Sequence, residues 1–468
     1  MSQTNPFINL HLGLGSFHRA HQALYLQWLH DLGDESWILA GGNIRSDMAD
    51  LIDVLQAQGG RYTLETVTTQ GVREYKSIES IKHVISWDSE LAGLTAVAID
   101  PNTRIISFTV TEAGYYLDSQ DRLDESFTDL ASDLSGETTC TLYGALATLL
   151  SARKANGAGP VTLMNCDNLR SNGDRFAKGF EQFLAKRGEH ELLAWVKENT
   201  SAPNAMVDRI TPRPTAEVVE RVKQATGLDD PAALMGESFI QWVIEDEFIA
   251  GRPAWEKVGV ELVDDVMPYE EAKIRCLNAT HSCIAWAGTM IGMEYIHEGT
   301  QDAEISQLGF DYVTDNVIPA LPDCPLDLAQ YRDVVLDRFS NPHVRDTNAR
   351  VAMDGFSKIP GFILPTIRDG IELGIKLDSV SILPALYLAF LERQQRGDIS
   401  FVYEDQLMDK AVAARIVSAD DVVAEFVNER LLFNEFAGNA KLLAAMRRAY
   451  VRVNEFIELR SQEAQLAG

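Results

Sequence analysis

Apolar residues in the first third of the chain gather in short unbroken runs. Phe7 to Gly15, FINLHLGLG, is the first, and it ends in glycines. That pattern predicts a buried strand entering a tight turn. From His18 to Leu32 the period becomes helical, with Ala20, Ala23, Leu24, Leu26 and Leu29 along one stripe. Trp37 to Gly42, WILAGG, predicts a second buried strand, so the three segments form a βαβ unit. Arg61–Val67 and Arg73–Ser77 read as strands around the turn Thr69-Gln70-Gly71, which predicts an antiparallel hairpin added to the same sheet. Arg104–Thr111 and Val161–Met164 read as further strands, and Cys140–Ala155 and most of Arg175–Thr200 as helices. Met206–Pro212 reads as a compact polar segment between helical runs.

Past about residue 264 the strand signals fade and helical periods dominate. Helices are expected over 268–296, 300–320, 326–340, 376–395, 404–416, 420–435 and 439–462. Asn348 to Lys358 interrupts them as a loop. The chain is therefore expected to have an α/β domain, 1–263, and a mainly α-helical domain, 264–468. It shows no internal repeat and no low-complexity tract.

Composition narrows the partners. Lys and Arg number 41 against 69 Asp and Glu, a net charge of −28, which opposes nucleic acid, polyanionic substrates and acidic membrane surfaces. The 5 cysteines are odd in number and contain no CxxC pair, which points to a reducing compartment and away from a structural zinc site. Neither a signal peptide nor a run long enough to span a membrane is evident. The expected address is the cytoplasm.

Polar groups collect where α/β sheets place ligands, at strand carboxyl ends. Gly13 and Gly15 would let backbone N–H groups approach a pyrophosphate, although His18 stands in the place of a third glycine. Asp47, just past the second strand, is placed to accept from a ribose or to cap a helix from Met48. Arg45 beside it is placed to pair with a 2′-phosphate. Glu112 follows the strand at 104–111, and Asn168 follows that at 161–164. The densest cluster is Pro268–Ser282, PYEEAKIRCLNATHS. On an α-helix its Lys273, Asn278 and His281 fall within an arc of roughly 140°. That arc suits either a catalytic face or the polar rim of an ordinary amphipathic helix.

The segments HLGLGSFHRAHQ, GNIRSD, TVTEAGYY, NCDN, MVDRITP, GRPAWEKVGV, PYEEAKIRCLNATHS and DRFSNP together resemble the polyol-specific long-chain dehydrogenases, the mannitol dehydrogenase family. They run in family order over nearly the whole chain. The resemblance implies an expanded Rossmann-type domain holding NAD, a mainly helical domain closing over it, a site in the cleft and no catalytic metal. It implies Lys273 as general base, Asn168 and Asn278 as the pair binding the reacting oxygen, and Glu270 on the proton path. His281, Arg350 and Lys358 then contact polyol hydroxyls, with Asp208 near the substrate. Gly13, Gly15, Phe17, Asp47 and Glu112 fall to the cofactor.

These residue types suit alcohol oxidation. A hydride leaves carbon for the nicotinamide, and a base takes the hydroxyl proton. A lysine can serve only if burial or nearby cations lower its pKa from about 10.4 toward 7 or 8. Two amides can hold the developing oxyanion without titrating. The resemblance, carried further by ITPRP, GSFHRAHQ and LNATHSCIAWAG, implies D-arabinitol to D-xylulose as the reaction, with D-mannitol to D-fructose second. A hexuronate (mannonate or tagaturonate) reductase is a sister reading that demands an extra cation. A non-catalytic nucleotide-binding sensor is a reading of another class. The expected protein is a monomer whose partner is a small polyol or ketose, with neither nucleic acid nor membrane.

Overall fold

In the computed structural model the chain forms two compact units, and residues 5–118, 121–405 and 407–467 are described. The first unit comprises Met1–Thr68 and Val72–Met267; the second comprises Thr69–Gly71 and Pro268–Gly468.

The first unit is built on a six-stranded sheet: Phe7–Leu12, Trp37–Gly42, Ile81–Ile85, Thr103–Phe108, Val161–Asn165 and Thr200–Ser201. Every pairing within it is parallel. Numbered in chain order, these strands lie across the sheet as 3-2-1-4-5-6. That is the doubly wound order of dinucleotide-binding folds, whose ligands lie where the order reverses, between strands one and four. Helices cover both faces, so the inner strands are buried along most of their length, and unbroken runs such as WILAGG follow from that. Leu10, Leu12, Ile106 and Leu163 fill one core and Leu39, Ile105 and Met164 the other. Each such side chain contributes roughly 2 kcal/mol over its exposed state. The helix Leu142–Asn156 shows why the local sequence folds as it does. Thr141 caps its start by accepting from Gly144 N, and Gly157, at φ +62°, ends it.

Several sequence expectations give way to tertiary context. The hairpin strands, Tyr62–Val67 and Arg73–Ile78, do not extend the main sheet; with Leu234–Glu237 they form a separate three-stranded one. The expected helix from His18 to Leu32 is two, Ser16–Ala20 and Gln22–Asp31, broken at His21, whose Nε2 bonds Gln241 O. The strand expected to reach Thr111 ends at Phe108, because Val110 and Thr111 give their N–H groups to the Asp167 carboxylate. The segment at 206–212 begins as a buried strand, Ala205–Asp208, paired antiparallel with Gln241–Glu245. Met48, not Asp47, occupies the cap position of the helix Ala49–Ala57.

The second unit is helical. The expected helix over 268–296 is three segments: α-helical Met267–Lys273, a π turn at Ile274–Asn278, and α-helical Ala279–Met290. Further π turns lie at Val313–Val317 and Ile359–Ile363, and both pack on the first. The expected loop at 348–358 instead holds two short helices, Asn348–Ala352 and Gly355–Lys358. The helix expected from 404 starts at Lys410, because Asp405 accepts from Phe356 N and Leu407 N and holds its own segment extended. Among the described residues no helix is long and apolar enough to cross a membrane, and no group of three or more His, Cys, Asp or Glu is arranged to hold a metal ion.

Candidate active site

In the first unit the candidate cofactor turn sits where the strand order reverses. Gly13 has φ +107°, and a Cβ there would lie 2.3 Å from Thr109 O, so the turn admits only glycine. Asn43 Oδ1 fixes the next residue by accepting from Leu14 N at 2.9 Å. Gly15 differs: a Cβ would meet nothing nearer than 4.0 Å, and no side chain caps the helix it opens. A backbone left bare of side chains at this point fits close approach by a dinucleotide phosphate. Phe17 follows, stacked on His21 with centroids 5.0 Å apart.

Asp47 lies exposed in the turn after the second strand. Arg45 is committed elsewhere: it donates to Cys140 O at 2.7 Å, Tyr116 Oη at 2.8 Å and Asp129 Oδ2 at 2.9 Å. A guanidinium held this way is not poised for a 2′-phosphate. Glu112 opens a 3₁₀ turn, Glu112–Tyr115, and its side chain lies outside the described residues.

Asn168 is exposed just past the fifth strand of the sheet. Its surroundings are built by residues that the sequence reading did not single out. Asp167 accepts from Val110 N, Thr111 N and Tyr115 Oη. Burial pushes the Asp167 carboxyl up against the pull of these donors. Asn172 Nδ2 donates to Asp167 O at 3.0 Å and to Ala205 O at 2.8 Å, tying the Asn168 segment to the strand that ends in Asp208. Asp208 is buried at that strand's end, opposite Gln241. Its neighbour Arg209 is structural, bonding Glu237 O and Ala20 O.

In the second unit Glu270 and Lys273, 4% and 5% exposed, lie three residues apart at the end of one α-helical segment. The other glutamate, Glu271, is taken by Arg275 at 2.8 Å, which also pairs with Asp369 at 2.5 Å. The π turn that follows changes the geometry of the cluster. An i→i+5 turn takes about 4.4 residues, so each residue advances roughly 82° rather than 100°. Over five residues this narrows the arc of Lys273, Asn278 and His281 from roughly 140° to roughly 60°. Asn278 Oδ1 is buried without a hydrogen-bond partner. Such an atom costs about 1–3 kcal/mol unless a ligand meets it.

His281 stacks on Phe339 with centroids 4.3 Å apart, and its Nε2 is 3.3 Å from Asp346 Oδ2. Burial holds its pKa below the ordinary histidine value, although Asp346 pulls it upward. Arg350 grips the same carboxylate with Nε at 2.7 Å and Nη2 at 2.5 Å. Burial would raise the Asp346 carboxyl, but His281 and Arg350 outweigh it and hold it well below the usual range. Lys358 donates to Val351 O, and burial pushes its pKa down to about 8. The structure thus brings His281 and Arg350 to one carboxylate, with Lys358 near enough to feel its charge. Asp346 escaped the sequence reading, although its place four residues before Arg350 is the spacing of a helical ion pair.

Known proteins share both units. The Mannitol dehydrogenase Rossmann domain matches residues 8–257, and the Mannitol dehydrogenase C-terminal domain matches residues 265–454. The D-arabinitol 4-dehydrogenase of Ralstonia nicotianae is 58% identical over 95% of this chain and 96% of its own. That of Klebsiella pneumoniae is 50% identical over 97% and 99%. Among solved structures, the Pseudomonas fluorescens mannitol 2-dehydrogenase ternary complex with NAD and D-mannitol superposes with a TM-score of 0.84 at 32% identity, covering 100% of this chain and 96% of that one. A doubly wound sheet, a helical partner unit and full-length kinship lead to one assignment: the chain belongs to the mannitol dehydrogenase family.

Proposed function

We propose that this protein oxidises a secondary alcohol of a polyol to a ketose with NAD, foremost D-arabinitol to D-xylulose. Residues 1–263 serve as the NAD-binding domain and 264–468 as the catalytic one. The observation that supports the chemistry is the π turn at 274–278, whose ideal geometry gives Lys273, Asn278 and His281 an arc of roughly 60°. The choice of polyol rests on the kinship with the two D-arabinitol 4-dehydrogenases.

When bound, NAD supplies the hydride acceptor. Gly13, Gly15, Phe17, Asp47 and Glu112 are the residues that would hold it. Lys273 takes the proton from the reacting hydroxyl, and Glu270, one helical turn earlier, passes it on. Asn168 and Asn278 donate to the oxygen as negative charge grows there, each worth about 3–4 kcal/mol of barrier. His281, Arg350, Lys358 and Asp208 hold the remaining hydroxyls.

D-mannitol to D-fructose is the second reading, supported by the structural likeness to the mannitol 2-dehydrogenase. A hexuronate reductase is disfavoured, because Arg350 is already matched by Asp346. The five cysteine thiols are free, which supports a cytoplasmic address, and we take the working form to be a monomer. The test is NADH or NADPH formation with D-arabinitol, D-mannitol and D-mannonate, each cofactor in turn. Highest kcat/KM for D-arabinitol with NAD is expected. Inactivity on both polyols overturns the reading, and inactivity on all three substrates favours a nucleotide sensor.

A further inference from the structure

We propose that Asp346 is a specificity-determining residue, setting His281 and Arg350 to read a neutral hydroxyl and to refuse a carboxylate. The proposal rests on the reading above that His281 and Arg350 face the polyol, and it deepens that reading.

A carboxylate offers only acceptors. Asp346 Oδ2 lies 3.3 Å from His281 Nε2, out of hydrogen-bond alignment, and its negative charge favours the single proton of the neutral imidazole on Nε2, which leaves Nδ1 as an acceptor. Stacking on Phe339, with 15° between the rings, keeps the ring in that orientation. The same carboxylate takes Arg350 in a two-point fork. Arg350 stays 65% exposed, so its remaining N–H groups are open to a ligand, but its charge is already met by a carboxylate only 9% exposed. The other cation, Lys358, also faces acidic neighbours, Asp354, Asp405 and Asp346.

Asp346 is itself well anchored. Its carbonyl accepts from Ile296 N at 2.9 Å, and the next residue, Thr347, forms a bridge to Tyr295. Thr347 also caps the helix carrying Arg350 by accepting Arg350 N. The carboxylate therefore stands in a fixed place between an acceptor it has created and a donor it has neutralised. A hydroxyl satisfies both, because it donates to Nδ1 and accepts from the guanidinium. A carboxylate has no proton for Nδ1, and the guanidinium charge it would meet is already taken by Asp346.

The test uses the full-length enzyme with D-arabinitol as substrate and D-arabinonate, its carboxylate analogue, as competitor. Asp346→Asn keeps the shape, removes the charge and lets an amide N–H face Nε2, which moves the imidazole proton to Nδ1. The variant is expected to raise KM for D-arabinitol about tenfold and to tighten D-arabinonate about fivefold, with kcat and the NAD KM within about threefold of the parent. Asp346→Glu should restore most of the polyol preference. A ratio of D-arabinonate inhibition constant to D-arabinitol KM that stays within about twofold of the parent overturns the proposal. A merely structural role predicts a lowered Tm with no change in that ratio. Should Asp346→Asn fail to fold, nitrogen-15 histidine spectra of the parent decide: a proton on Nε2 of His281 supports the proposal, and one on Nδ1 overturns it. A parent inactive on every polyol would instead count against the function proposed above.

Discussion

Lys273 stands at the last position of an α-helical segment, buried, with Glu270 one turn behind it and the π turn ahead. A base in that position accounts for a large share of the rate, so Lys273→Ala should lower kcat at least about a hundredfold. NAD affinity, measured by fluorescence titration, should be unchanged, and turnover comparable to the parent would dispose of the lysine base. Single residues were legible in the sequence where their type is rare in its context. A lysine, an asparagine and a histidine on one helix stand out from an apolar background. Asp167 and Asp346 did not, because acidic residues are common in so acidic a chain. Their meaning comes from partners that only the fold supplies: the N–H groups of Val110 and Thr111 for one, and the ring of His281 for the other.

At the scale of elements, strands buried on both faces were readable as apolar runs, and so was the βαβ start. The π turns were not, since a 3.6-residue frame is assumed whenever helical period is sought in a sequence. One extra residue per turn leaves no mark in composition. This gives a sharp test. Inserting one alanine after Lys273 should open the arc of Lys273, Asn278 and His281 to roughly 150°, whereas deleting Ile274 should convert the π turn at 274–278 to an α turn that keeps the arc at roughly 60°. We expect the insertion to lower turnover at least about a hundredfold, the size of the general-base term, and the deletion to keep most of it. The helix content by circular dichroism should persist in both. Activity within about tenfold of the parent in the insertion would show that the π turn does not align the cluster. The hairpin was misplaced for a different reason. Its alternation predicts two paired strands correctly, but the third strand of its sheet, Leu234–Glu237, comes from far along the chain.

Across the whole molecule, buried histidines tie stability to pH. His11 and His18 stack at 3.5 Å with no exposed surface. Burial lowers His11 to about 3 and His18 well below its ordinary value, the latter aided by its cationic neighbours. Both folded-state values are depressed, so the unfolded chain binds the extra protons below about pH 6.5. Their stabilisation is complete above that pH and is lost as pH falls toward 3, at about 1.4 kcal/mol per unit for each. Asp167 and Asp405, raised by burial, act in the opposite direction closer to the carboxylate range. The urea midpoint should therefore fall between pH 6.5 and pH 5, and His11→Gln should flatten that slope. A midpoint level across this window would contradict the burial of neutral imidazoles.

The 3-2-1-4-5-6 order also sets a timetable for synthesis. Phe7–Leu12 is the first strand made, yet it lies in the middle of the sheet, and its second neighbour is Thr103–Phe108. At roughly 5–20 residues per second, that neighbour follows roughly 5–20 seconds later. Throughout the interval an apolar strand has one edge unpaired. Chaperone dependence and slow refolding should therefore concentrate in the first unit, while the helical unit, richer in local contacts, forms quickly once it has been made.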